Sequence, residues 1–352
     1  MRHMLLAALV AGLLIPAAQA QAPYAGFDDV DAPATRAADE AADAAWAGYL
    51  QRSAGALAAS GQPRELAFAA TLRSLTLQGD AAPAAGDAPS TAVPPDPQVE
   101  AWREAAAQKA GDDVLANVLL VQGNDAASTR RRVRAAQRWL AADPQNLAPL
   151  LFRGGGIDAL LADARSAQRF DLQMLPQVRW MQSALLRQSP TAAERAAFAG
   201  DGDYDAAEHA AISATAIWSA VAIPALQTLV EGCAPEATRA NPARLRECRH
   251  VARLMADASD TQLGRMIGVA LLERTAASAA ERADAQARRR TQDWQMLEWG
   301  RASAQLPRDG AAQYARLLAD PSIRSELDLV ERALQEAGVP STPPAGWQPP
   351  RD

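Results

Sequence analysis

Three aspartates alternate through "GDGDYDAAEH", residues 200–209: Asp201, Asp203 and Asp205. Carboxylates at loop positions one, three and five are the spacing that holds calcium. A full calcium loop also needs Gly at position six for the sharp turn and a bidentate Glu at position twelve. Ala206 and Ile212 stand there, so a cation would be poorly enclosed. The stretch reads better as a helix start. Gly200 and Gly202 break one helix, and the acids fill the first turn of the next, where the peptide dipole favours each by about 0.3–1 kcal/mol. Asp201, Asp203 and Asp205 are therefore weak metal candidates, and no cofactor is expected.

Cys233 and Cys248 are the only cysteines. In an oxidising compartment such a pair reads as a disulfide, and closing so short a loop stabilises by about 3 kcal/mol in the chain-entropy model. The rival is a metal site with His250, but zinc wants four ligands, or three around an open position. Basic residues cluster in "STRRRVRAAQR" (residues 128–138) and "ARRRT" (residues 287–291). Arg130, Arg131, Arg132 and Arg134 make a weak anion-binding candidate. The plainer reading is a solvated helix face paired with acids such as Asp125, Asp284 and Asp293.

Other motifs resolve into packing. "FRGGGID" (residues 152–158) is Gly-rich but follows a helical segment and carries no Lys, so it reads as a break between helices capped by Asp158, not a phosphate cradle. Gly264 and Gly268, four apart, would let another helix approach closely. H-E-x-x-H and G-x-S-x-G do not occur, and neither His209 nor His250 has a motif-defined nucleophile beside it. No catalytic residue is assigned, and a non-enzymatic protein is the more natural expectation.

The chain begins "MRHMLLAALVAGLLIPAAQA". Arg2, an apolar stretch over residues 5–15, Pro16 and Ala18-Gln19-Ala20 have the layout of a secretory signal peptide cleaved after Ala20. No later stretch has the length of a membrane span. The expected compartment is the periplasm or the exterior. A net charge of −6 offers no footprint for nucleic acid.

Positioning these residues falls to helices, because helix signals recur and strand signals hardly appear. Residues 35–57 are Ala-rich with Trp46, Tyr49 and Leu50 near helical spacing, Gly61 stops that helix, and Pro63 can open the next. The expected organisation is a signal peptide over 1–20, a disordered stretch over 21–34 and a helical hairpin over 35–78. A Pro/Ala-rich linker or loop over 79–97 leads to an all-helical domain over 98–338. The Pro-rich tail over 339–352 reads as loose, with Trp347 the residue able to dock it. Expected helix starts are Asp143-Pro144, Ser189-Pro190 and Asp320-Pro321. The pairs Thr191/Glu194, Ser259/Gln262 and Ser278/Glu281 have capping-box spacing.

Asp143-Pro144-Gln145-Asn146 and the run Gly202-Asp203-Tyr204-Asp205-Ala206-Ala207 resemble the turns of tetratricopeptide repeats. The resemblance covers about one repeat, and Arg153, Ile157, Ser166, Glu194 and Arg195 depart from the family's preferences. It implies antiparallel helical hairpins in a bundle or α-solenoid. The expected fold is thus all-α with one disulfide. The expected function is a non-enzymatic protein- or peptide-binding or scaffolding role with an unidentified envelope partner. The alternative is an all-α hydrolase of envelope glycan or peptide.

Overall fold

A computed structural model describes residues 33–80, 96–122, 129–198, 204–305 and 309–350. Among them every regular element is a helix. Helices α1 (Pro33–Ala59), α2 (Pro63–Asp80), α3 (Pro97–Lys109), α4 (Val114–Val121), α5 (Thr129–Ala142) and α6 (Ala148–Arg153) pack largely in sequence order. After α7 (Ile157–Asp163) and a short 3-10 turn come α8 (Met174–Leu186), α9 (Ala192–Phe198) and α10 (Ala206–Val221). The short α11 (Gln227–Gly232) and α12 (Pro235–Thr238) lead to α13 (Pro242–Asp257), α14 (Gln262–Arg274) and the long α15 (Ala279–Gln305). The chain closes with α16 (Asp309–Ala319) and α17 (Glu326–Glu336). Contacts also join distant parts of the chain: α9 packs on α1, α16 on α8 and α10, and α17 on α15. No helix among the described residues is long and apolar enough to cross a membrane.

The expected hairpin is α1 and α2. Gly61, at φ 65°, takes the left-handed conformation that ends α1, and Pro63 opens α2 without giving up a needed N–H. This pair packs on the rest of the body. Arg73 of α2 holds Asp96, the cap of α3, at 2.8 Å, and that hydrogen bond lowers the Asp96 carboxyl to a pKa of about 2. Phe68, fully buried, meets Trp180 of α8 edge-on at 5.7 Å. Trp139, Leu147, Leu161, Leu175 and Met255 fill one continuous core with them.

Several helix starts fall elsewhere than the sequence implies. Asp143-Pro144 lies in a turn and α6 begins at Ala148, whose N–H donates to the Asn146 side chain at 3.0 Å. Asp320 caps its own loop through Ser322, and α17 starts at Ser325 with a full capping box to Asp328. Ser189-Pro190 yields the start to Thr191, which exchanges bonds with Glu194 as expected. Ser259 does not cap α14, because it is held extended beside Phe170 and Thr261 takes that role. Asp158 is not a cap either, since Gly156 precedes α7 and Asp158 pairs with Arg244 at 2.6 Å. Thr261 and Ser325 have the extended backbone that a cap requires, whereas α6 starts from Leu147 in a right-handed conformation with no side-chain cap.

The tail is not loose. Helix α17 ends with Val339 N–H on the Leu334 carbonyl and Gly338 N–H on that of Gln335, a Schellman close that aims the chain back along α15. Residues 339–347 then meet the body through Pro340, Ser341 and Trp347, as the next section describes.

Candidate functional site

Carboxylates converge at one place, where the loops following α5, preceding α8 and following α13 run side by side through two isolated parallel bridges. Asp260 accepts the N–H of Leu172 at 2.8 Å and of Met174 at 2.9 Å, closing the open end of α8. Asp171 accepts from Gln173, whose backbone is left-handed at φ 59°. Burial, and then the facing Asp171, push the Asp260 carboxyl well above the usual carboxylate range. Asn146 locks the next layer, donating to the Asp171 carbonyl and accepting its N–H. Glu326 accepts the Gln262 N–H at 2.7 Å and caps α14 from outside. These acids are spent on backbone N–H groups, and the arrangement is a junction of helix starts.

The residues singled out by sequence are dispersed. Cys233 and Cys248 are bonded to each other, fully buried, with Cα atoms 5.6 Å apart. The bond ties the end of α11 to α13, leaving His250 to meet the Ala164 carbonyl at 3.2 Å. Asp205 caps α10, with a capping box to Glu208, whereas Asp201 and Asp203 lie outside the described residues. Among the described residues no cluster of His, Cys, Asp and Glu is placed to hold a metal ion. Arg130 and Arg134 are exposed, but Arg131 turns inward to Glu100 at 2.6 Å and Glu104 at 3.6 Å. A small cavity of about 70 Å³ sits between Arg131, Arg134, Arg138 and Glu104. His209 lies against Trp46 and Tyr49, ring centroids 5.8 and 6.0 Å away, and burial followed by the Arg195 charge lowers its pKa. In the second basic run Arg288 pairs with Asp284 and Asp257, and Arg289 with Glu273.

An open groove of about 490 Å³ runs beside α17. Its apolar residues are Ile323, buried, and Val339 of the tail, half-buried. Glu331, Arg332 and Gln335 of α17 line it together with Ser322 and Ser341. Asp328 also lines it but is committed to the N–H groups of Arg324 and Ser325. One wall is therefore the non-helical tail. Val339, Ser341 and Pro343 are half-buried while Pro340, Thr342 and Pro344 are exposed, and the chain bends at Ser341 and Thr342. Trp294 Nε1–H donates to the Pro340 carbonyl at 2.8 Å, and Gln295 Nε2–H to that of Ser341 at 2.9 Å. A turn closed by Trp347 N–H on the Pro344 carbonyl, with Gly346 at φ 79°, returns the indole of Trp347 edge-on to Trp294 at 5.4 Å.

Comparison with protein-family models, with curated proteins and with solved structures gives no match. The groove, Trp294 and Gln295 were not readable as a site from sequence. Their one signal is an aromatic, Trp347, inside a segment whose composition otherwise cannot build a core.

Proposed function

We propose that the protein is an exported, disulfide-bonded helical binding protein that seats an extended segment of a partner protein along the groove beside α17. The observation that carries this reading is the groove itself. It joins an apolar floor to charged and amide side chains and already runs beside the non-helical backbone of the tail, a setting suited to peptide recognition by pockets and main-chain bonds. The buried carboxylates, by contrast, are engaged in capping, which supports binding over hydrolysis. Export rests on the character of residues 1–20, with the buried disulfide in keeping with an oxidising compartment. The consecutive packing of α1 to α6 supports helical hairpins in that part, in the tetratricopeptide-like manner the Asp143–Asn146 turn implies.

Capture from an envelope extract tests the reading, with the mature oxidised protein set beside a variant carrying Arg332→Glu and Gln335→Ala. The expected result is a protein partner retained by the wild type, competed by untagged protein and lost with the variant. Equal capture by both, or retention of shortened wall glycan, would sink it.

A further inference from the structure

We propose that the face of α15 carrying Trp294 and Gln295 is a binding site for proline-rich segments of other chains, and that the protein's own tail occupies it as an exchangeable stand-in. The inference rests on the reading of this region as peptide-binding and names the class of ligand.

The chemistry of the contact is general. Both side-chain donors reach backbone carbonyls, those of Pro340 and Ser341, so they read backbone and not the identity of the tail's side chains. Pro340, Pro343 and Pro344 favour the polyproline conformation in "VPSTPPAGW". That conformation leaves its carbonyls without internal partners and has little entropy left to lose on binding. Aromatic side chains are the recurrent way such segments are held, and Trp294 supplies one here. The Trp347 ring meets Trp294 through one T-shaped contact, an interaction of about 0.5–1.5 kcal/mol. Pro340, Thr342, Pro344, Ala345, Gly346 and Gln348 are exposed. The tail is thus fixed at one end by the helix close and held beyond it by two hydrogen bonds and one ring. Such a segment keeps its place mainly by being tethered, at an effective concentration of about millimolar for a short linker. A partner segment of the same type, present without the tail's grip on Trp294, takes the same donors.

The test uses the full mature chain and a fluorescent peptide with the sequence of residues 338–350. Trp347→Ala loosens the tail without touching the α15 donors, and Gly346→Val does so independently by straining the turn. Both release variants should bind the peptide roughly ten-fold or more tightly than the wild type, whose own tail competes. Adding Gln295→Leu or Trp294→Ala to Trp347→Ala should weaken binding by about ten-fold, and a peptide with every Pro changed to Ala should bind worse by a similar factor. Circular dichroism confirms that each variant is folded. Folded release variants that ignore the peptide would overturn the proposal, as would binding indifferent to Gln295 and Trp294 or to the prolines. Groove-dependent capture of a partner alongside a failed peptide titration would remove this inference alone and leave the binding function standing.

Discussion

Glu326 shows how one side chain's protonation enters the stability of the fold. It opens α17, accepts the Gln262 N–H at 2.7 Å, and sends its own N–H to the Asp260 carbonyl at 2.9 Å. Burial raises its pKa from 4.5 to about 6, with the Gln262 bond pulling the other way. A carboxyl with a raised native pKa binds a proton more readily folded than unfolded, so its contribution is fully present below pH 4.5 and lost as pH rises through about 6. The interval corresponds to about 2 kcal/mol. Urea unfolding at a series of pH values should therefore show a Glu326-dependent fall in stability between pH 4.5 and 7, opposed by His209, whose lowered pKa adds stability as pH rises. Glu326→Gln, which keeps an acceptor for Gln262, should flatten that fall. A remainder of the same sign belongs to the Asp171–Asp260 pair, whose raised carboxyl loses its contribution in the same direction. Tyr314, raised to about 12 by burial, stays neutral throughout. A Glu326→Gln profile that overlays the wild type would refute this account.

Between elements, α13 and α14 approach closely, and glycine makes it possible. A Cβ on Gly268 would stand 2.6 Å from the Met255 carbonyl carbon and collide with Ala256 N; on Gly264 it would stand 2.6 Å from the Phe170 ring. Gly268→Ala meets backbone, which cannot swing aside, and should destabilise by about 1–3 kcal/mol or more. Gly300, exposed inside α15, has nothing within 4 Å of a built Cβ, and Gly300→Ala should stabilise by about 0.5–1 kcal/mol. Thermal melts of the two read the contrast directly, and equal effects would mean that α13 and α14 are not in contact at Gly268. This contact was legible because two glycines four apart make a local signal. So were the turn at Gly61-Pro63, the capping at Thr191/Glu194 and the disulfide, each set by residues close in the chain. What was illegible depends on distance. Asp260 caps a helix whose N–H groups lie 86 and 88 positions away, and the Trp294 donor meets Pro340 across 46. Composition alone read that tail as loose, because local content carries no account of a docking surface elsewhere. The helix starts at Asp143 and Asp320 were misplaced for a nearer reason: Asp-Pro favours a turn as readily as a cap, and here the turn wins.

At the scale of the molecule the question is whether α1 and α2 form a unit of their own. Their composition and the proline-rich stretch after them read as a separate hairpin, yet their interfaces reach much of the body. Helix α2 packs on α3 and α4, α9 packs on α1, and Arg52 and Arg187 link this pair to Glu194 and from α8's end to Glu65 at 2.5 and 3.1 Å. Exposed ion pairs of this kind contribute little, so the coupling falls to Phe68, Leu72 and Leu66 in the continuous core. A two-helix pair has too little apolar surface to fold alone, and its stability is borrowed through these contacts. Phe68→Ala should then destabilise by about 3–5 kcal/mol, the range for emptying a buried aromatic site. The loss should appear as a lower midpoint of one cooperative transition, with near-ultraviolet dichroism and far-ultraviolet helicity moving together. The wild type should likewise unfold in one step. If Phe68→Ala instead produced an early transition carrying only the helix of α1 and α2 while the rest melted at the wild-type temperature, the hairpin would be an accessory unit. The opposite arm bears on the proposed function: with one cooperative body, partner affinity should survive any surface change in α1 that leaves the midpoint where it was.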